Sequence, residues 1–288
     1  MRIDAHHHVW SLDRCRYDWL GPEAGVLYAD HGPADLAPHL ARAGVDGTVL
    51  VQASDTVDET RFLLATAAAT PFVLGVVGWV PLDAPDAAAL LTELDRDPYL
   101  VGVRPMLQDL DDPAWILRDA VAPGLDAVEA RGLVFDALVR PPQLDAIVEL
   151  AHRRGALPIV LDHAGKPGVA AGWSWDGRAA WERALDALAA RPNVAVKLSG
   201  LVTEARADWT VDDLRPWVEA VVSRFGPQRV LWGSDWPVCR LAGDYARWWD
   251  ATHELLESLN AAECAAVLGG NAQRLYALSA EADPARPS

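Results

Sequence analysis

Ile3-Asp4-Ala5-His6-His7-His8-Val9-Trp10 opens the chain with strand character, and the segment that follows it decides the fold. A doubly wound open sheet usually places a glycine-rich turn directly after its first strand. Here Val9 to Gly32 is a long aromatic loop with no G-x-G-x-x-G. Outward from this stretch, short apolar runs recur at Gly47 to Ala53, Phe72 to Val80, Leu100 to Met106, Leu133 to Val139, Leu157 to His163, Val194 to Ser199 and Arg229 to Asp235. With Ile3 to His8 they make eight, most of them near-continuously apolar, as parallel strands covered on both faces are. Helical stretches separate them: Asp35 to Ala43, Thr56 to Ala69, Pro113 to Ala130 behind Asp112, Pro142 to Arg154, Trp175 to Ala190 and Thr210 to Phe225. Their ends carry cap residues, glycines or prolines. Eight strand–helix units in 288 residues predict a (β/α)8 TIM barrel of class α/β. An extra C-terminal helical segment opens at Asn260 to Leu268. The expectation is one domain over residues 1–280, with a disordered polar tail from Glu281.

Composition narrows the function classes. Apolar residues make up 51% of the chain, ample for a large core, and no run of 18 or more predicts a membrane span. A net charge of −16 disfavours nucleic acid and anionic membrane surfaces, because no basic patch is there to release counterions. Cys15, Cys239 and Cys264 are odd in number and far apart, which fits free thiols in a reducing compartment. The chain also opens on a polar strand with no basic-then-apolar leader, so the expected location is the cytoplasm. Thirteen Trp against four Phe suit cleft walls as well as cores.

In such a barrel, functional side chains stand at the C-terminal ends of strands. Those ends supply His6 and His8, Gln52, Trp79, Arg104, Asp136, Asp162 and His163, Lys197 and Ser199, and Asp235. So many ionisable groups converging in one mouth are costly unless they pair or hold a ligand. Alternation along a strand sends His6 and His8 to one side and His7 to the other, so two imidazoles are able to share one metal ion. His31, His39, His152 and His253 fall away from the strand ends and are expected to face solvent.

The opening Asp-x-His-x-His, the segment Val160-Leu161-Asp162-His163-Ala164-Gly165-Lys166-Pro167 and the segment Gly233-Ser234-Asp235-Trp236-Pro237-Val238 together resemble the amidohydrolase superfamily. More narrowly they resemble amidohydrolase-related family 2 and its L-fuconolactonase-like sugar-lactone hydrolases. The likeness runs from Ile3 to Leu278 through Gly75-Val76-Val77-Gly78-Trp79-Val80, Gly102-Val103-Arg104 and Lys197-Leu198-Ser199-Gly200-Leu201. It implies a barrel of the metal-dependent-hydrolase type and hydrolysis of a sugar (aldono-) lactone to the aldonic acid, in sugar catabolism. It further implies Asp235 as general base and His163 beside the substrate carbonyl. His6, His8 and Asp235 are the candidate ligands for one divalent metal, zinc first. Arg104, Lys197, Gln52, Trp79, Trp10 and Asp136 are the candidate substrate-binding residues. Two positions depart from the pattern. Asp136 stands on the fifth strand where the superfamily often places a lysine or histidine ligand, and some relatives in this branch work without a metal. Pro105 follows Arg104 where many of these lactonases carry a histidine.

Other readings remain open at this level. A decarboxylase or aromatic-acid lactonase of the same superfamily needs several arginines in the cleft, and only Arg104 is well placed. A non-catalytic sugar- or metal-binding barrel has no need of Asp235. A serine hydrolase lacks its G-x-S-x-G elbow. The expected partner is a small molecule, and the chain is either a monomer or a homo-oligomer.

Overall fold

Eight parallel strands follow one another around a single sheet in chain order in the computed structural model, which describes residues 1–279. They are β1 (Ile3–His7), β2 (Gly47–Val51), β3 (Val73–Gly78), β4 (Leu100–Val103), β5 (Val134–Ala137), β6 (Ile159–Leu161), β7 (Val194–Leu198) and β8 (Val230–Trp232). Each lies inside one of the runs expected from the sequence. The sheet closes where the chain beyond β8 meets β1. There the Asp235 amide donates to the His6 carbonyl at 2.8 Å, and the His8 amide to the Trp236 carbonyl at 2.7 Å. The architecture is the (β/α)8 barrel.

Alternation along the strands explains its interior. Ile3, Ala5, Val49, Val51, Val77, Val101, Val134, Val160, Ala195 and Leu231 pack as one apolar cluster inside the barrel. Two residues beyond Val134, Val160 and Ala195, on the same faces, stand Asp136, Asp162 and Lys197. A charged layer therefore lies directly on an apolar one. Ala272, Tyr276 and Leu278 join the apolar cluster from the C-terminal segment.

The outer ring comprises α1 (Pro33–Ala43), α2 (Val57–Ala68), α3 (Ala87–Leu94), α4 (Ala122–Ala130), α5 (Leu144–Arg153), α6 (Arg178–Ala189), α7 (Val211–Phe225) and α8 (Tyr245–Leu255). Thr210 caps α7 by accepting from the Asp213 amide, as expected; at α2, expected to start at Thr56 beside Asp55, Thr56 is itself the cap, accepting from the Glu59 amide, and the helix begins at Val57. Three differences from expectation have local causes. The helix expected over Pro113 to Ala130 is only a short 3-10 turn at Trp115–Leu117 followed by α4. Pro123 has no N–H and fits only a first helical turn, so the regular helix begins there. α3 and α8 carry no expectation: Asp86, ahead of α3, makes no side-chain cap, and the aromatic Tyr-Ala-Arg-Trp-Trp start of α8 masks its helical period. The C-terminal segment is α9 (Ala261–Ala265), a π-type turn at Ala266–Gly270 and α10 (Asn271–Leu275). The expected disordered tail lies outside the described residues. Among the described residues no helix is long and apolar enough to cross a membrane.

Candidate active site

β1 carries His6 and, one residue past its end, His8; an irregularity between Asp4 and His7 lets both rings turn to the mouth. The two Nε2 atoms lie 3.2 Å apart. Asp235, brought alongside by the closing seam, places Oδ1 3.4 Å from His8 Nε2 and 3.7 Å from His6 Nε2. Residues more than two hundred positions apart thus form one triangle. His7 turns the other way, towards Thr48 Oγ1 at 2.9 Å.

The protonation states follow from the partners. His8 Nδ1 lies 2.7 Å from the Val51 carbonyl and donates to it, which leaves Nε2 bare. Burial holds the pKa of His8 below the usual imidazole value, and that of His6 well below, with Lys197 adding to the effect at His6. Burial pushes the Asp235 carboxyl up, but the charge of His163 and the bond and charge of His8 outweigh it, so its pKa falls below the usual carboxylate value. The site at neutral pH is a carboxylate facing two neutral imidazoles.

A second tier lies beneath. Lys197 Nζ sits 2.5 Å from Asp136 Oδ2, 3.1 Å from Asp162 Oδ1 and 3.1 Å from His6 Nδ1. Arg104 Nη1 lies 3.2 Å from Asp162 Oδ2 and 3.3 Å from His6 Nε2, while Nη2 donates to the Gln52 carbonyl. Gln52 Nε2 returns a bond to the Arg104 carbonyl at 2.6 Å. Tyr276 donates to both Asp136 oxygens, at 2.8 and 3.0 Å. Burial raises Asp136; at Asp162 burial acts the same way, but Lys197, His6 and Arg104 hold that carboxyl well below its usual range.

His163 follows β6 in a turn of unusual backbone. His163, Ala164, Gly165 and Lys166 have φ of 53°, 52°, 73° and 50°, and Asp235 has 56°. For residues other than glycine this region costs roughly 1–2 kcal/mol each, a strain that collects at functional positions. The turn brings the His163 ring to 4.6 Å from that of His6 and its Nδ1 to 2.9 Å from Ser199 Oγ. Burial lowers the His163 pKa to about 4. A neutral ring accepting from the Ser199 hydroxyl at Nδ1 carries its proton on Nε2.

The donor set fits one divalent ion. Three ligands about 2.0–2.2 Å from a tetrahedral ion stand about 3.4 Å apart, close to the 3.2, 3.4 and 3.7 Å edges observed here. The His8 Nδ1–carbonyl bond is the outer-shell contact that fixes a ligating tautomer. Asp162 Oδ1, 3.1 Å from Lys197 Nζ and 3.4 Å from His6 Nδ1, is placed to accept from an N–H on His6 Nδ1, the tautomer that bares Nε2. His6, Asp162 and His163 form a second cluster of possible ligands.

The amidohydrolase family profile matches residues 3–278. The chain belongs to the amidohydrolase family. It is therefore an enzyme, and a hydrolase. It is 46% identical over 279 residues to the L-fucono-1,5-lactonase of Burkholderia ambifaria, covering 96% of this chain and 95% of that protein. It is 41% identical to the L-fucono-1,5-lactonase of Burkholderia multivorans over 98% of both chains. A crystal structure of an amidohydrolase from Burkholderia multivorans with bound zinc superposes with a TM-score of 0.90 at 41% identity, over 97% of this chain and 100% of that one.

The structure sorts the expected site residues of this family member. His6, His8, His163 and Asp235 meet at the mouth. Lys197, Asp136, Arg104 and Gln52, expected against substrate, lie below them with their polar groups turned to one another and to His6; Lys197 and Asp136 have no exposed side-chain surface. Trp10 is buried, donating to the Ala29 carbonyl at 2.8 Å, and Trp79 is half-buried at the end of β3. His31 overturns the expectation of solvent exposure: it is buried between the rings of Trp10 and Trp236, at 5.3 and 5.6 Å. Sequence reasoning passed over Tyr276, which joins the lower tier through Asp136 and had no local signal.

Proposed function

We propose that this chain opens the ring of a sugar-acid lactone to the aldonic acid, with Asp235 as the base that takes a proton from the attacking water. One observation carries the reading: an ionised carboxylate, Asp235, stands 3.4 and 3.7 Å from two neutral imidazoles at a barrel mouth, in a chain this similar to two L-fucono-1,5-lactonases. Our preferred substrate is accordingly a six-membered aldono-1,5-lactone. His163 is placed to donate from Nε2 to the carbonyl oxygen as negative charge builds there. Water attacks the carbonyl carbon, the ring C–O bond breaks, and Asp235 returns the proton to the departing ring oxygen.

His6, His8 and Asp235 would hold a divalent ion, zinc in our reading, which when bound lowers the pKa of its water towards about 7. Burial keeps the imidazoles neutral, with Lys197 adding to it at His6 and Arg104 at His8, and the tier of Arg104, Asp162, Lys197, Asp136 and Gln52 orients them from below. Trp79 and, behind it, Trp10 serve as wall for a neutral polyhydroxy ring. Three unpaired cysteines suit a reducing cytoplasm, where the product acid would enter sugar breakdown. The decarboxylase alternative is not favoured, since Arg104 is turned inward to Asp162 and Gln52 and is not free for a substrate carboxylate.

The test is acid release, followed with a pH indicator, from L-fucono-1,5-lactone and a panel of aldono-1,4- and 1,5-lactones, with and without chelator. Release well above the spontaneous rate is expected, and Asp235→Asn should slow it by about 10²- to 10⁴-fold. A folded Asp235→Asn protein of near-normal rate would remove Asp235 from its role. Acid from none of the lactones, with carbon dioxide from an aromatic acid instead, would remove the reading.

A further inference from the structure

The chain carries 25 lysine and arginine residues, and only two of them, Lys166 and Lys197, are lysines. Lys166 ends the turn after β6, and Lys197 stands one residue before the end of the next strand, β7, in the tier beneath the mouth. Arginine is a planar fork suited to surface pairing, whereas lysine is a compact charge with three rotatable donors. A protein that writes every other cation as arginine thus keeps the ammonium for two places beside its active site. One of them, Lys197, is fully engaged by Asp136, Asp162 and His6.

Lys166 is not. Its nearest acidic oxygen, Glu204 Oε1, lies 3.8 Å from Nζ, beyond hydrogen-bonding distance. Its side chain is only 18% exposed. It ends the left-handed turn that begins at His163, with φ 50° and ψ 60°. The charges that act on it are Glu204 and Asp235, which attract it, and Arg140 and Arg104, which repel it. Arg140 is exposed and Arg104 is committed to Asp162 and Gln52. Among the cations here, Lys166 is the one both sheltered and left with donors to give.

We propose that Lys166 is a further catalytic residue of the lactone reaction: its ammonium donates to the substrate's carbonyl oxygen, holds the oxyanion and then holds the product carboxylate. The proposal rests on the lactonase reading above. As the water oxygen bonds to the carbonyl carbon, the π electrons move to the carbonyl oxygen and Asp235 takes the water's proton. The oxyanion's electrons then re-form the C=O bond, the ring C–O bond breaks with its electrons going to the ring oxygen, Asp235 protonates that oxygen, and the new carboxylic acid releases its remaining proton to solvent to give the carboxylate. Lys166 keeps all its protons throughout. His163 offers the same oxygen one neutral N–H, and a charge-assisted bond is roughly twice as strong. Burial depresses the Lys166 pKa, Glu204 and Asp235 acting against it, as befits an ammonium placed to gain from a new anionic partner.

The experiment compares wild type, Lys166→Met, Lys166→Arg and Lys166→Cys before and after treatment with 2-bromoethylamine, which rebuilds an ammonium of lysine length. Steady-state lactone hydrolysis and inhibition by the aldonate product are measured. Lys166→Met should lose about 10²- to 10³-fold in kcat, with KM changed far less and product inhibition weakened at least about tenfold. Lys166→Arg should recover part of the rate, and alkylated Lys166→Cys at least about tenfold over its untreated form. Lys166→Met at near wild-type kcat and product inhibition overturns the proposal. So does a lost rate that the rebuilt ammonium fails to recover, which also covers a poorly folded Lys166→Met. An active wild type with either result leaves the lactonase reading standing; a wild type that opens no lactone removes both.

Discussion

Gly200 shows how little room surrounds the His163 imidazole, proposed above to meet the carbonyl. Its φ is +64°, and a Cβ there would lie 2.5 Å from His163 Nδ1. Gly200→Ala should therefore push His163 off Ser199, cutting the lactone rate about tenfold or more, with about 1–2 kcal/mol lost in a urea melt from the left-handed backbone. A rate within threefold of wild type would mean that His163 does not depend on this packing. The triangle of His6, His8 and Asp235 invites a second measurement at this scale. Protein dialysed against zinc is expected to retain about one equivalent by elemental analysis, and His8→Ala less than half of that. The four residues of the mouth were legible in the sequence because each stands at a strand end, where the barrel puts its chemistry. Whether a strand-end side chain faces the substrate or its neighbours was not legible. Lys197 and Asp136 look like any other mouth residues until Tyr276, 140 positions from Asp136, is seen to close the network below them.

Among the elements, the first turn of α2 holds a carboxyl that its own burial keeps protonated near neutral pH. Glu59 has no exposed surface, and its oxygens accept from the Ala53 amide at 3.0 and 3.1 Å and the Ser54 amide at 2.8 Å. Burial raises its pKa to about 8 against those bonds and the field of Arg104. The folded state thus binds a proton that the unfolded chain releases near its ordinary value. The stabilisation is complete below about pH 4.5 and is lost as pH rises towards 8. Glu59→Gln keeps an acceptor without the titration. Thermal melts from pH 5 to pH 9 should fall less steeply for Glu59→Gln than for wild type between pH 5 and pH 8, by roughly 1 kcal/mol per pH unit, with the difference levelling off above pH 8. Parallel curves would show that Glu59 is ionised throughout. The strands were legible as elements because their short length and β-branched content decide between strand and buried helix where periodicity does not. Helix α3, with no side-chain cap, and the proline that delays α4 were not, since local propensity does not say where a helix starts when tertiary packing selects the turn.

Across the whole molecule, the barrel sets a layer of opposite charges between an apolar floor and the catalytic mouth. Such a layer is destabilising unless each member finds a partner, and removing one partner costs more than the pair contributes. Tyr276 tests that argument from the far end of the chain. It is buried, packs with the floor residues Ile3, Val134 and Val160, and gives its hydroxyl to Asp136. If it served only to plug the floor, Tyr276→Phe would be neutral, because the ring is unchanged. If the C-terminal segment also satisfies the charged layer, Asp136 loses a donor it cannot replace from water. Tyr276→Phe should then lower stability by about 1–3 kcal/mol in urea unfolding. The loss should shrink when Asp136→Asn is combined with it, since the uncharged amide needs the phenol less. Equal losses in the two backgrounds would place Tyr276 in the floor alone, and leave Asp136 held by Lys197 without it.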